Sequence, residues 1–285
     1  MSTAPVVICA AVTGSITDRS VTPHVPMSTE EIVASSVEAW EAGAAVIHLH
    51  ARDDDGRPSF ARERFARLVD GIRERGCDAV LNLSTGSGGG TFVGAQRYEC
   101  LDLAPEMGSF DCGSTNFNDW VFENGRPFLE DMAAAFARND VAPEIECFDA
   151  SHVQNALDLI AAGVLREPLH FQFVLGVRGG APATLAQVAL MCGMLPPGAT
   201  WGVCGIGRAQ LPMNLVALAS GGHVRTGLED NVMYHRGELA VSNRQLVERV
   251  ARLAGEIGRP VATADEARGI LRVRPYAAAT ETARP

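Results

Sequence analysis

Val46-Ile47-His48-Leu49-His50-Ala51-Arg52-Asp53 is a short apolar run that ends in two histidines one residue apart and opens into the acidic turn Asp53-Asp54-Asp55-Gly56. A run of this length bounded by a turn reads as a β-strand. Successive strand side chains point to opposite faces, so His48 and His50 share one face and supply half of a metal site. A lone histidine in such a strand is more often a hydrogen-bonded core residue. The pair, followed by Arg52 and three aspartates, points instead to a strand that carries chemistry at its carboxyl end.

Working outward, the strand is preceded by a helical pattern over 29–42, led by a Ser28 cap with Glu31 at the capping-box position, and followed by a charged helical pattern over 62–75. The alternation recurs along the chain. Apolar runs at 6–12, 46–50, 79–84, 107–112, 144–148, 169–175, 200–204 and 223–226 give eight predicted strands, the fourth interrupted by Pro105 and Gly108. Strands alternating with helices form parallel sheets, and eight repeats in 285 residues predict an α/β fold closed as a (β/α)8 TIM barrel, which needs about 250 residues. A doubly wound sheet is the rival, but the first strand runs into Thr13-Gly14-Ser15 rather than a Gly-x-Gly-x-x-Gly turn. The helical patterns at 243–257 and 263–271 are expected to complete the barrel wall, with a disordered tail from Tyr276. No linker or repeat divides the chain, so residues 1–285 are expected to form a single domain.

The net charge of −10 argues against nucleic acid or an anionic membrane as partner, so an anionic substrate needs locally placed arginines. No run approaches the ~18 apolar residues that span a bilayer, and the start Met1-Ser2-Thr3-Ala4-Pro5 lacks the basic segment of a secretory signal. The seven cysteines are scattered, with no Cys-x-x-Cys pair, which predicts a reduced, cytoplasmic setting and thiols that serve as small buried hydrophobes.

In a TIM barrel the site lies at the carboxyl ends of the strands. The pattern sends His48 and His50 there from strand two, Asn82, Ser84 and Thr85 from strand three, Glu106 and Ser109 towards Ser114 and Asn116 from strand four, Glu146 from strand five, and Arg225 with Glu229, Asp230 and Asn231 from strand eight. Two imidazoles and one carboxylate make a catalytic zinc set with an open position. Glu229 or Asp230 can supply the carboxylate, leaving the other free as a base. Alone, an Arg-x-x-x-Glu-Asp segment is as readily a helix-start cap with a surface ion pair.

His48-Leu49-His50-Ala51-Arg52, Pro105-Glu106-Met107, Asn116-Phe117, His170 to Val177, Gly205-Ile206-Gly207-Arg208 and Gly222 to Asn231 together resemble the β-keto acid cleavage enzyme family, over nearly the whole chain. The resemblance implies a zinc-dependent TIM barrel in which a β-keto acid and acetyl-CoA give acetoacetyl-CoA and a new acyl-CoA. It implies His48, His50 and Glu229 as zinc ligands and Asp230 as general base, with Arg225 and Glu146 supporting the reacting centre. Ser84 and Ser109 are implied to hold substrate. Main-chain amides and the hydroxyls of Ser84, Thr85 and Ser109 are then candidates to stabilise tetrahedral alkoxides. A homotetramer is expected on the same ground.

Two positions depart from the family pattern. Members acting on aminated substrates are expected to carry an acid shortly after the Thr-Gly pair, whereas this chain has Ile16, with Asp18 the nearest substitute. Arg178, in Val177-Arg178-Gly179-Gly180, replaces a smaller or apolar residue and is a candidate clamp for a distal carboxylate or a CoA phosphate. His152 follows strand five; as a ligand it would favour a metal-dependent hydrolase. A catalytically silent zinc barrel that binds acyl-CoA is the reading from another class, and it would not need Asp230.

Overall fold

A computed structural model describes residues 4–167 and 169–275. Strands β1 (Ile8–Ala11), β2 (Val46–Leu49), β3 (Val80–Leu83), β4 (Met107–Asp111), β5 (Ala142–Cys147), β6 (His170–Leu175), β7 (Thr200–Gly205) and β8 (His223–Thr226) pair in sequence, all parallel, and β8 returns to β1. The barrel is closed, so none of its eight strands has a free edge. All eight lie where the apolar runs placed them.

The helices cover the barrel because each presents an apolar stripe at helical spacing. In α1 (Thr29–Glu41) both arms of the Ser28–Glu31 capping box form, and Ile32, Val33, Ser36 and Ala39 face inward. In α2 (Arg62–Glu74) Phe65, Leu68, Val69 and Ile72 are buried and the charges, Arg73 apart, face outward. A kinked 3-10 stretch, Gly94–Leu103, replaces an α-helix between β3 and β4. The wall continues with α3 (Arg126–Arg138), α4 (Ala150–Ala161), α5 (Leu185–Met194), α6 (Gln210–Ser220) and α7 (Asn243–Glu256).

The last helix departs from expectation. Rather than joining the wall, α8 (Ala264–Leu271) lies across the amino end of the barrel, where Ala267 and Leu271 pack against Val7, Val46, Val80 and Met107. Those residues begin or immediately precede their strands and would otherwise meet water. Glu106 also belongs to this closed end, not to the site. It precedes β4, is fully buried, and accepts hydrogen bonds from Arg73 Nη2 (2.7 Å), Arg268 Nε of α8 (2.8 Å) and Leu81 N (3.0 Å). A residue before a barrel strand reaches the amino end, whatever its charge.

His170 and His223 begin their strands and so lie at the closed end, with Nδ1 of His223 accepting from Val7 N at 3.1 Å. Burial lowers their pKa values to about 3 and about 4. All seven cysteines are free thiols. Among the described residues no helix is long and apolar enough to cross a membrane. The tail from Tyr276 lies outside the described residues.

Candidate active site

Alternation along β2 brings the two imidazoles to one place. His48 faces the barrel interior, and His50, just past the strand end, lies above it with the ring centroids 5.2 Å apart. The loop after β8 delivers the third group: Glu229 Oε1 is 3.6 Å from His48 Nε2 and 3.3 Å from His50 Nε2. Ligands about 2.0–2.1 Å from a tetrahedral zinc ion stand roughly 3.3 Å from one another, so these separations suit a common cation. Glu229 Oε2 is buried with no hydrogen-bond partner, as a carboxylate awaiting a cation would be. Of the two acids left open by the sequence, Glu229 is the one that faces both imidazoles.

The loop after β1 holds this cluster in place. Ser15 Oγ is 2.7 Å from His50 Nδ1, fixing the ring so that Nε2 faces Glu229. Arg52, buried, braces that loop by donating to the carbonyls of Gly14 and Thr17 (2.7 Å each) and to Thr13 Oγ1 (3.1 Å). Gly14 has φ of +68°, and a Cβ there would stand 2.7 Å from Glu229 Cγ, so this close approach requires glycine.

Asp230 lies beside the cluster and turns both carboxylate oxygens to Arg225, at 3.0 Å from Nε and from Nη2. Arg225 also donates to Glu146 Oε1 (2.7 Å) and Glu229 Oε1 (2.6 Å), so one buried guanidinium serves three carboxylates. Asp111, on β4, lies beside Glu146, its register partner on β5, and 3.8 Å from Arg97 Nη2. Burial pushes the Asp230, Glu146 and Asp111 carboxyls up, against the pull of nearby arginines. Glu229 is the exception: burial raises it, but His50, Arg225 and His48 outweigh that and hold it below the usual carboxylate range. His48 is pushed down by burial and then by Arg225, which keeps its imidazole neutral and ready to ligate.

These groups floor a cavity of about 420 Å³ at the carboxyl end of the barrel, whose lining includes His48, His50, Ser84, Asp111, Glu146, Arg225, Glu229 and Asp230. Ser84 is where the sequence placed it. Thr85 and Ser109 are buried below the surface and engage each other: Ser109 Oγ accepts from Thr85 N (3.0 Å), and Thr85 Oγ1 donates to Ser109 O (2.6 Å). Neither lines the cavity. Arg178 lies outside it as well, exposed and 3.5 Å from Asp119. His152 is occupied by main chain, accepting from Phe148 N at Nδ1 and meeting Ser114 O at Nε2, so it is no ligand here. Asp18 caps its own turn through Ser20 N and is absent from the lining.

Sequence reasoning missed Asp111 and Ser15. Asp111 shares strand parity with Ser109 and ends β4, a signal that strand alternation could have supplied. Ser15 carries none, because a loop serine meets His50 only after the barrel has closed.

A closed parallel barrel with a His, His, Glu cluster that could hold a metal ion and a buried acid at its carboxyl end defines a TIM-barrel enzyme. The sequence model of the family described as beta-keto acid cleavage enzyme matches residues 5–273. The chain is 44% identical over 266 residues to the 3-keto-5-aminohexanoate cleavage enzyme of Acetoanaerobium sticklandii, covering 93% of this chain and 97% of that one. It is 42% identical over 272 residues to the 3-oxoadipate:acetyl-CoA acetyltransferase of Cupriavidus necator, covering 94% and 95%. A solved ternary complex of ObcA with C4-CoA adduct and oxalate superimposes with a TM-score of 0.75 at 23% identity, covering 88% of this chain and 68% of that one, a likeness of fold. The chain belongs to the β-keto acid cleavage enzyme family.

Proposed function

We propose that this protein is a zinc-dependent β-keto acid:acetyl-CoA transferase. The observation that carries the reading is the convergence of His48, His50 and Glu229 beside the buried pair Asp230–Arg225. The donor set fits zinc: two imidazoles, a carboxylate with one buried oxygen unpartnered, and a neighbourhood in which Glu229, Asp230, Glu146 and Asp111 outnumber the guanidinium groups of Arg225 and Arg97. Zinc held there would supply Lewis-acid polarisation of the substrate's keto group.

The chain's own residues account for the proton transfers. Asp230 takes a proton from the carbon between the keto and carboxylate groups; its raised pKa makes it a stronger base than an exposed aspartate. Arg225 keeps its two oxygens oriented and stabilises the ionised form that acts as the base. The carbanion adds to the acetyl carbonyl of acetyl-CoA and expels CoA thiolate. The thiolate then attacks the original keto carbon, the bond from that carbon to the carbanion carbon breaks, and Asp230 returns its proton. Ser84 Oγ, at the cavity surface and accepting from Gly86 N at 3.2 Å, can donate its hydroxyl to the alkoxide of either addition.

Atom balance revises the product expected from the sequence. One acetyl-CoA brings one CoA, and the substrate carboxylate persists, so the products are one acyl-CoA and free acetoacetate rather than acetoacetyl-CoA and a second thioester. The test is incubation of zinc-loaded protein with acetyl-CoA and a panel of β-keto acids, reading new acyl-CoA masses and acetoacetate. Absence of both with every acid rejects the reading. Asp230→Asn is expected to retain zinc and lose turnover by 10²-fold or more, roughly the weight of a general base, whereas His48→Ala loses both. An active Asp230→Asn enzyme removes Asp230 as the base.

A further inference from the structure

We propose that the β-keto acid used here carries an uncharged, apolar tail, seated on a wall of the cavity formed by Phe117, Trp120, Phe122, Phe148, Val177 and Ile206; this rests on the reaction proposed above. The wall is one packed unit. Phe122, Phe148 and Val177 are buried, with Phe117, Trp120 and Ile206 half-buried against them. Ring centroids lie 5.3 Å apart for Phe117–Trp120, 5.9 Å for Phe117–Phe148 and 6.1 Å for Phe122–Phe148.

The wall rises from the hairpin Thr115–Phe117/Trp120–Phe122 that follows β4 and from the ends of β5, β6 and β7. It therefore stands across the mouth from β2 and its histidines. On β5 the floor passes straight into the wall, since Glu146 and Phe148 are two residues apart on one face and both line the cavity. A substrate whose keto and carboxylate oxygens lie at the histidine cluster must run its remaining carbons out of that floor, and this apolar surface is continuous with it.

Charge on the lining points the same way. Among the described lining residues the carboxylates are all on the floor, engaged with His48, His50, Arg225 or Arg97, so none stands on the wall to meet an ammonium group. A primary ammonium desolvated there has no carboxylate counter-ion, and the attraction of the ring faces offsets only part of its lost hydration. Among the described residues Arg208, exposed at the rim, is the one lining cation outside the floor. Arg178, the clamp expected for a distal carboxylate, is turned to Asp119 at the surface.

The test measures kcat/KM of the zinc-loaded enzyme at saturating acetyl-CoA for 3-oxo acids with methyl, propyl and pentyl tails, beside 3-oxoadipate and 5-amino-3-oxohexanoate. Burial of each methylene on the wall is expected to raise kcat/KM about fourfold until the wall is filled. Both charged-tail acids are expected to fall at least tenfold below the pentyl compound. Phe117→Ala and Ile206→Ala, at half-buried positions, should flatten the dependence on tail length and leave the KM for acetyl-CoA unaltered. Preference for either charged tail, a flat response to length, or variants that raise only the acetyl-CoA KM would overturn the proposal, the last by assigning the wall to CoA. If no acid is turned over, calorimetric binding of the same series to the zinc-loaded protein still decides the tail. Affinity that climbs with tail length then upholds the wall while the reaction fails, and affinity indifferent to it sinks the wall as well.

Discussion

Replacing Arg225 by methionine removes the single positive charge that Glu146, Glu229 and Asp230 share through four hydrogen bonds of 2.6–3.0 Å. Methionine fills much of the volume, so the loss is electrostatic rather than a cavity. Breaking one buried ion pair by deleting a partner costs about 3–5 kcal/mol, and four charge-assisted bonds do not add because they share one guanidinium. A destabilisation of about 3–5 kcal/mol at pH 8 is expected for the metal-free protein. The sign of its pH dependence follows from linkage. Burial already raises Glu146 and Asp230, and without Arg225 their carboxyls rise further, so the folded variant binds protons that the unfolded chain releases. The stability of the variant must therefore fall as pH rises, by about 1.4 kcal/mol per pH unit for each such proton, and the deficit must shrink towards pH 5. Urea denaturation of chelator-treated wild type and variant at pH 5, 6.5 and 8 measures this directly. A deficit below about 1 kcal/mol at pH 8, the weight of an exposed pair, or one equal at all three values, refutes the account of Arg225 as a shared counter-charge.

Loss of the hydroxyl in Ser15→Ala should weaken metal binding about 10- to 100-fold by freeing the His50 ring, measured as zinc affinity by competition with a chelating dye; unchanged affinity would leave Ser15 without that task. For His223, whose pKa burial lowers to about 4, the unfolded chain binds a proton below about pH 6.5 that the folded chain refuses until about pH 4. Its contribution to stability is complete above pH 6.5 and is lost as pH falls through that window, by about 1.4 kcal/mol per unit and roughly 3 kcal/mol in all. His223→Asn, whose side-chain oxygen can accept from Val7 N as the imidazole does, should show a correspondingly flatter acid limb in denaturation midpoints. Parallel limbs for the two proteins would contradict this.

Strand alternation made much of the site legible in advance. His48 and His50 share a face because the backbone of any strand imposes it, and the order of strands in a right-handed parallel barrel puts β2 and β8 on either side of β1. The expectation failed where a residue's depth along the barrel mattered. Glu106 and Ser109 flank Met107 and Gly108 at the start of one strand, yet the first joins Arg73 and Arg268 at the closed end and the second hydrogen-bonds Thr85 beneath the cavity floor. Glu106 reaches the closed end because it precedes β4, whereas the depth of Ser109 depends on the stagger of β4 against β3 and β5.

By itself the sequence determined the architecture and the kinds of chemical group available, because hydrophobic periodicity, helix caps and turn residues act within a few neighbours of themselves. Tertiary structure alone decided which groups meet. It brought Ser15 to His50 and Arg225 to Glu146 across 35 and 79 residues of chain, moved α8 beneath the barrel, left Arg178 outside the cavity, and raised an aromatic wall from four separate strand ends. The physical reason is range. Side-chain contacts and burial, which set pKa values and ligand geometry, are properties of the closed barrel and have no counterpart in any short stretch of its sequence.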